Sequence, residues 1–361
     1  MSKVLNEQRK IRVGITTGDI NGIGYEIIIK ALSDQRMCEL FTPVVYGTSK
    51  AASYHRKTLN TQDFNFHLIR KADQAHISKP NLLSLLDQEV KIDLGQTTET
   101  SGEMAVQSLE AAVTDLKNGL IDALVTAPIS KKAVNMAGFD FPGHTEFLAS
   151  RFDCDEVLML MVSRQLRIGM ATGHIALKDV SSKLSVDLLL RKINLMHKSL
   201  VQDFAITGPR IAVLALNPHA GDEAMFGTEE KDIIAPAIER AFSERKLVFG
   251  PFPSDGFFGS AQHRMFDGIL AMYHDQGMLP FKCFSFDTGV NFTAGMPVVR
   301  TSPAHGTAFD IAGKDKAMPD SMREALYLAC DIFRNRMEYL ELTSNPLEII
   351  ANNRQDGTDN I

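Results

Sequence analysis

Three histidines in this 361-residue chain each stand at or just past the end of an apolar run. His174 closes RIGMATGH, His219 closes IAVLALNPH and His274 closes GILAMYH, and a polar turn follows each of them. In α/β proteins, ligands gather at the carboxyl ends of strands, and neutral imidazole binds transition metals. Independent structural histidines are the alternative, because a lone histidine is usually only hydrogen-bonded. The threefold repetition favours one divalent-metal site with positions left open for water or substrate.

A second set of residues could hold a phosphate group. Lys282 in LPFK and Arg300 in PVVR are flanked by apolar residues, so we expect them to be engaged rather than simply solvated. His144 and Thr145 in FPGHTEF lie at a predicted helix start, where free amide groups favour an anion. Asn291 lies in GVNFTAG, within the same stretch of chain as both basic residues. Solvation remains the alternative for any single lysine or arginine.

Two glycine-bracketed stretches could line a cleft. GDINGIGYE follows a predicted strand and opens a helix, but Ile27 stands where a dinucleotide fingerprint needs its third Gly or Ala. We therefore reject a Rossmann interpretation and predict a strand-to-helix turn. The later stretch, HGTAFDIAGK, is polar before it becomes apolar.

Short apolar runs alternate with helical patterns, which predicts an α/β fold with largely parallel sheets. A capping box at Thr100 predicts a helix that ends at Gly119, and another helix should follow Ser185, with Leu189 and Ile193 on its apolar face. The predicted strands are 11–16, 43–47, 121–127, 157–162, 167–172, 211–216 and 268–273.

Composition narrows the class of protein. The chain is 44% hydrophobic and 23% charged, which is ordinary for a globular protein, and its net charge of −6 gives no general attraction to nucleic acid or to an anionic membrane. The four cysteines show neither CxxC spacing nor a disulfide framework, and no run is apolar enough to span a membrane. The N-terminus has no signal-peptide pattern, so we expect a cytoplasmic protein.

Six motifs in order along the chain carry a resemblance to a known family. GDINGIGYE, GHTEFLA, NPHAG, MYHDQGMLPFK, GVNFTAGMPVVRTSP and HGTAFDIAGK closely resemble the 4-hydroxythreonine-4-phosphate dehydrogenases of vitamin B6 biosynthesis. The resemblance covers nearly the whole chain, and the histidine-centred motifs are specific. It implies a relation in fold to isocitrate and isopropylmalate dehydrogenases, in which two α/β/α lobes flank a cleft. We expect residues 1–135 and 300–361 to form the cofactor-side lobe, and 136–299 to form the lobe with the metal, substrate and dimer contacts.

The resemblance also implies roles for residues of this chain. It makes the three histidines the ligands of zinc, cobalt or magnesium, and the HGTAFDIAG loop the site of NAD, with NADP as an alternative. It implies a homodimer with the active site at the interface. Asp255 and Asp275 are assigned orienting roles because they lie close to the metal motif in the sequence. The implied substrate contacts are His144, Thr145, Lys282, Asn291 and Arg300, and the cofactor contacts are His305, Gly306, Thr307, Asp310 and Gly313.

The implied reaction is oxidation of 4-phosphohydroxy-L-threonine to 2-amino-3-oxo-4-phosphohydroxybutanoate, which decarboxylates to 3-amino-2-oxopropyl phosphate. A sister group oxidises phosphorylated threonate or erythronate, and the motifs do not separate the two. A metal-dependent phosphatase is a further alternative, although a hydrolase has no use for a dinucleotide loop. A non-catalytic metal- or phosphate-binding protein would need neither that loop nor open metal positions.

Overall fold

The computed structural model describes residues 9–61, 63–86 and 90–345. Within them, twelve strands form one mixed sheet. Their bounds are β1 Arg12–Thr16, β2 Thr42–Gly47, β3 His67–Ile69, β4 Asn81–Ser84, β5 Ala123–Thr126, β6 Leu158–Val162, β7 Arg167–Met170, β8 Arg210–Leu214, β9 Leu247–Phe252, β10 Gly268–Ala271, β11 Val290–Ala294 and β12 Val299–Pro303. The strand order is β3-β4-β2-β1-β5-β12-β11-β6-β7-β10-β8-β9. The prediction of a largely parallel α/β protein is confirmed.

Strand direction reverses three times in the middle of the sheet. The pairs β12–β11, β11–β6 and β6–β7 are antiparallel, whereas the pairs on either side of this middle segment are parallel. Strands β7, β10 and β8 therefore run opposite to β1, β5 and β12. The sheet is continuous through both predicted lobes, so their boundaries stay a prediction.

Helices cover the sheet between the strands. They are α1 Gly24–Leu32, α2 Met37–Leu40, α3 Ser49–Thr58, α4 Glu99–Lys117, α5 Lys131–Met136, α6 His144–Arg151, α7 Val180–Lys183, α8 Val186–Gln202, α9 Ala235–Ser243, α10 Ser254–Gly259, α11 His274–Ser285 and α12 Asp320–Thr343. The prediction for α8 is confirmed, because Ser185 caps it and Leu189 and Ile193 are fully buried. The capping box at Thr100 is wrong: Thr98 is the N-cap of α4, and its hydroxyl accepts a hydrogen bond from the Ser101 amide.

All seven predicted strands are present, with bounds that differ by a few residues. Strands β3, β4, β9, β11 and β12 had no strand prediction. The last two hold the buried polar side chains of Thr293 and Arg300, which interrupt the apolar pattern that marks a strand. GDINGIGYE is the predicted strand-to-helix turn between β1 and α1. No described helix combines the length and the apolar character needed to cross a lipid bilayer.

Candidate active site

Two of the three candidate metal ligands lie side by side. Strands β7 and β10 are parallel neighbours, so the turns that follow them carry His174 and His274 to the same place. Their ring centroids are 5.3 Å apart. Partial burial lowers the pKa of His174, and the positive charges of Lys131 and His274 add to this effect. A lowered pKa favours the neutral imidazole that a metal needs.

His219 lies on a turn after β8, which is the neighbour of β10 on the other side. The turn is unusual because His219 and Ala220 both have positive φ angles, of 55° and 54°. In the described part of the chain, no three His, Cys, Asp or Glu side chains lie close enough together to hold a metal ion. The participation of His219 therefore stays a prediction, while His174 and His274 supply a pair of adjacent imidazoles.

The two candidate orienting aspartates differ in their contacts. The Oδ1 atom of Asp275 lies 2.7 Å from Nδ1 of His274, the arrangement that fixes a histidine tautomer and leaves Nε2 free as a ligand. Asp255 is exposed near the start of α10, and no hydrogen bond of its side chain is found among the described residues. Asp275 therefore lies where it could orient His274, and the roles of both aspartates stay predictions.

Arg300 is the most deeply buried candidate for binding phosphate, at 3% exposure. Its Nε and Nη2 atoms donate to the Thr126 hydroxyl at 3.1 and 2.7 Å, and Nη1 donates to the Thr293 hydroxyl at 3.3 Å. These neutral partners leave the positive charge available to a ligand. Burial lowers the pKa of Arg300 to about 10, and the carboxylate of Glu146 opposes this shift. The arginine therefore still carries its charge at neutral pH.

His144 begins helix α6, as predicted, and Gly143 is the N-cap of this helix. Burial and the positive charge of Arg300 hold the pKa of His144 well below its usual range, so the ring is neutral. Its Nε2 atom is buried with no hydrogen-bond partner within the described chain. Thr145 follows in the first turn and is partly buried. A neutral ring with an unused buried nitrogen, next to an arginine, suits a polar ligand bound between them.

Glu146 is a charged residue that acts on both Arg300 and His174. The negative charge of Glu146 raises the pKa of both Arg300 and His174, and the positive charge of Lys131 lowers the pKa of His174. Charges act this strongly only over short distances. Arg300 and His174 therefore both lie within electrostatic reach of Glu146.

The two remaining substrate candidates have different environments. Asn291 is partly buried on β11, and its Oδ1 atom is a buried acceptor without a partner among the described residues. Lys282 is exposed on the last turns of α11, eight residues beyond His274. Asn291 is thus enclosed within the chain, whereas Lys282 projects from the same helix that begins with a candidate metal ligand.

The candidate cofactor loop packs on the glycine-rich turn after β1. The Ile23 amide donates to the Thr307 carbonyl at 3.1 Å, and a Cβ at Gly22 would lie 2.8 Å from that same oxygen. Gly313 has a φ angle of +71°, and a Cβ there would lie 2.4 Å from Leu94. Glycine is therefore required at both positions for close packing. The two glycine-bracketed stretches form one surface.

Several residues of the candidate cofactor loop are available to a ligand. His305 has a buried Nε2 atom without a partner in the described chain, and burial lowers its pKa. A Cβ at Gly306 would meet no atom within 4 Å, so open space lies beside it, and Asp310 is exposed. An orphaned donor or acceptor beside open backbone fits a polar cofactor.

The sequence interpretation missed the residues that support these groups. Thr126 and Thr293 hold Arg300, and both are fully buried. Glu230 accepts hydrogen bonds from the Leu216 and Asn217 amides at 2.8 and 2.7 Å, just before the turn of His219. Glu230 lies nine residues after the NPHAG motif, and this proximity was a usable signal. The threonines gave none, because threonine is common in buried strands.

Comparison with known proteins places the chain in a family. The family model described as pyridoxal phosphate biosynthetic protein PdxA matches residues 39–329. A 4-hydroxythreonine-4-phosphate dehydrogenase from Bacteroides thetaiotaomicron is 45% identical over 356 residues, which is 98% of both chains. A protein from Cutibacterium acnes, described provisionally as D-threonate 4-phosphate dehydrogenase, is 37% identical over 92% of this chain and 97% of its own.

Solved structures agree with the sequence relatives. The crystal structure of a 4-hydroxythreonine-4-phosphate dehydrogenase from Burkholderia phymatum superposes with a TM-score of 0.75 at 36% identity, covering 90% of this chain and 99% of that one. The crystal structure of a 4-hydroxythreonine-4-phosphate dehydrogenase from Klebsiella pneumoniae superposes with a TM-score of 0.77 at 33% identity, with the same coverage of both chains. The match of the family model over most of the chain, together with these relatives, shows that the chain belongs to the PdxA family of pyridoxal phosphate biosynthetic proteins.

Proposed function

We propose that this protein is an NAD-dependent and divalent-metal-dependent dehydrogenase of 4-phosphohydroxy-L-threonine. The reaction oxidises the secondary hydroxyl, and the resulting β-keto acid loses carbon dioxide to give 3-amino-2-oxopropyl phosphate. The name and high identity of the Bacteroides relative support this substrate.

The observation that carries the proposal is the buried Arg300, whose neutral threonine partners leave its charge for a ligand. A guanidinium makes charge-assisted, often bidentate bonds to phosphate. Neutral His144 lies beside it with an unused ring nitrogen, and the charge of Glu146 acts on both Arg300 and His174. One small molecule with a phosphate at one end and a metal-chelating group at the other fits this arrangement.

His174, His219 and His274 would hold the metal. Two adjacent imidazoles, one of them oriented by Asp275, are a donor set that suits zinc or cobalt. A divalent ion held there supplies Lewis-acid chemistry by lowering the pKa of the substrate hydroxyl. Arg300, His144 and Asn291 hold the substrate at its other end, which orients the reacting carbon and adds binding energy remote from it.

The loop 305–313 would hold the nicotinamide cofactor. Its buried His305 nitrogen and the open space at Gly306 fit a polar ligand, and its packing on the glycine-rich turn keeps the backbone in place. A bound dinucleotide supplies the hydride acceptor. We propose NAD rather than NADP because residues 305–313 contain no lysine or arginine that could pair with a 2′-phosphate.

Phosphorylated threonate is the second candidate substrate. The Cutibacterium acnes relative favours this substrate, since that protein is 37% identical and is described as a D-threonate 4-phosphate dehydrogenase. On the carbon beside the reacting one, 4-phosphohydroxy-L-threonine has an amino group where threonate 4-phosphate has a hydroxyl. Both present the same phosphate to Arg300.

Steady-state assays with both compounds test the proposal. Purified protein with zinc or cobalt and NAD should reduce the dinucleotide with 4-phosphohydroxy-L-threonine, followed at the absorbance of reduced nicotinamide. A higher kcat/KM with D-threonate 4-phosphate would assign the second function. Release of inorganic phosphate without reduction of the dinucleotide would contradict both and indicate a phosphatase.

We also propose a homodimer. Large apolar side chains are exposed on α11 and on the turns near the metal candidates, among them Leu279, Phe284, Leu177 and Met225 at 67, 50, 70 and 74%. Large apolar side chains exposed near a candidate site are typical of an interaction surface. A second copy there would explain why one chain does not complete a three-histidine group. Light scattering measures the mass, and restored activity in a mixture of refolded His219→Ala and His274→Ala chains would show that one metal site takes these ligands from two subunits.

A further inference from the structure

The three strands that carry the histidines meet at one buried residue, Met272. Strand β10 ends at Ala271, so Met272 is the first residue after it and lies two residues before His274. Its carbonyl accepts hydrogen bonds from the amide and the hydroxyl of Thr172, at 3.2 and 2.7 Å. Thr172 lies two residues before His174. This contact ties the turn after β7 to the turn after β10.

On the side of Met272 that faces β8, hydrogen bonds from the Gln276 side chain replace the backbone hydrogen bonds between the two strands. The pairing of β10 with β8 stops at Leu270 and Val213. Beyond that point, Gln276 Oε1 accepts from the Met272 amide at 2.7 Å, and its Nε2 donates to the Ala215 carbonyl at 2.6 Å. The amide group of Gln276 thus bridges the two strand ends at a separation that direct backbone pairing would not allow.

A third bond anchors this bridge. Nε2 of Gln276 also donates to the Ser254 hydroxyl at 2.8 Å, at the start of α10. On the β8 side, the chain from Ala215 is held next by Glu230, which accepts from the Leu216 and Asn217 amides. The backbone is therefore fixed as far as Asn217, two residues before His219. Beyond Asn217 the chain enters the turn in which His219 and Ala220 have positive φ angles.

From these contacts we propose that Gln276 is a positioning residue for the metal site, fixing the backbone at Met272, which leads into His274 and is bonded to the turn that carries His174. The inference rests on the proposed function, because it needs those histidines to bind a metal. Gln276 does not touch the metal or the substrate in this role. It acts through the backbone at Met272 and Ala215, as outer groups act on metal ligands in other sites.

A purely structural role is the rival explanation. Gln276 is the third residue of α11, and a glutamine there commonly reaches back to an amide at the helix start. A capping residue of that kind would contribute to stability without affecting the metal. Capping alone does not require the hydrogen bonds that Gln276 donates to Ala215 and Ser254.

Metal binding, rather than turnover, separates the two roles. We would titrate the metal-free protein with Zn²⁺ and Co²⁺ by calorimetry and record the visible spectrum of the cobalt form, which reports coordination geometry. Gln276→Met keeps the length of the side chain and removes its amide. We expect zinc affinity to fall about ten- to hundredfold, and the cobalt bands to shift at saturation. Gln276→Asn keeps the amide but is one carbon too short, and it should weaken binding as well.

Asn81 offers a matched control. It is a fully buried amide that donates to the carbonyls of Pro43, His76 and Lys79 and accepts from the His76 amide. It lies on β4, eight positions from β10 in the strand order. Asn81→Leu should lower the melting temperature at least as much as Gln276→Met, with unchanged zinc affinity and cobalt spectrum.

The outcomes are distinct. Wild-type affinity and spectrum in a folded Gln276→Met or Gln276→Asn protein would overturn the positioning role while leaving the metal site intact. If both fail to fold, Ser254→Ala removes one anchor of the amide, and unchanged zinc affinity there overturns the role. If wild-type protein binds no metal, or His274→Ala binds it normally, the proposed metal site itself fails and this inference falls with it.

Discussion

The arginine cluster (Arg300, Thr126, Thr293 and His144) and the histidine cluster (His174, His219 and His274) are built in opposite ways. The arginine and both threonines lie within neighbouring strands and are buried. The histidines follow strand ends and are exposed or partly exposed.

This difference has a physical cause. A phosphate site gains from a charge that is buried and fixed before the ligand arrives, because a low local dielectric strengthens the contact and little order is lost on binding. A metal site needs side chains that approach one point from several directions, which residues along one flat sheet do not. We therefore expect the arginine cluster to depend on hydroxyls packed inside the sheet, and the histidine cluster to depend on what holds the turns.

The largest expected effect is at Arg300. Arg300→Ala should raise the KM for the phosphorylated substrate about a thousandfold, because two charge-assisted hydrogen bonds of about 2 kcal/mol each are lost. Arg300→Lys should recover only part of this, since an ammonium lacks the planar fork. Initial rates at varied substrate and varied NAD measure both constants. An equal rise in the KM for NAD would place Arg300 outside a dedicated phosphate site.

A smaller effect is expected where the histidine cluster is supported. Asp275→Asn should lower zinc affinity about ten- to hundredfold, because His274 loses the carboxylate beside its Nδ1 atom. The control is Asp287→Asn, an exposed aspartate just beyond the same helix. Zinc titration of both proteins gives the comparison. Equal affinities would show that Asp275 is only a surface charge, which its 83% side-chain exposure allows.

Thr126→Val tests the support of the arginine cluster. Valine has nearly the same shape and removes the hydroxyl that accepts from Nε and Nη2 of Arg300. We expect the KM for the phosphorylated substrate to rise about fivefold, equivalent to about 1 kcal/mol, with unchanged zinc affinity. A fall in zinc affinity of the same size would show that the two clusters are not independent.

The smallest effect concerns pH. The folded-state pKa of His144 is lowered, so below the unfolded pKa of about 6.5 the unfolded chain takes up a proton that the folded protein refuses. Stability is therefore lost as pH falls, by up to about 0.7 kcal/mol between pH 7 and 6 from this group. We would measure the free energy of unfolding of the metal-free proteins in urea at about pH 7 and pH 6. The decrease between the two pH values should be smaller in His144→Gln than in the wild type. The same slope in both proteins would mean that His144 is not buried in neutral form.

His55 acts in the same direction and must be left in place in that comparison. Burial lowers its pKa to about 4, and its Nε2 atom lies 2.8 Å from the Ile20 carbonyl. Both histidines therefore contribute to acid sensitivity, and only the difference between wild type and variant isolates His144.

The sequence alone determined the α/β class, the strands that precede the histidines and the helix at Ser185. These features follow from local patterns: apolar runs of strand length, a 3.6-residue period and a serine at a helix start. The pairing of His174 with His274 could also be anticipated, because neighbouring parallel strands end at the same edge. Strands β11 and β12 were hidden because Thr293 and Arg300 are polar where the pattern needs apolar residues.

The tertiary structure alone decided which groups Arg300 and Met272 meet. Thr126 lies 174 residues from Arg300, and Ala215 lies 61 residues from Gln276, so no local pattern joins them. The reversal of strand direction at β11 and β6 is likewise a property of pairing over long separations. Polar side chains inside a sheet cost free energy unless they find partners, and those partners are set by the packing of distant strands rather than by the residues next to them.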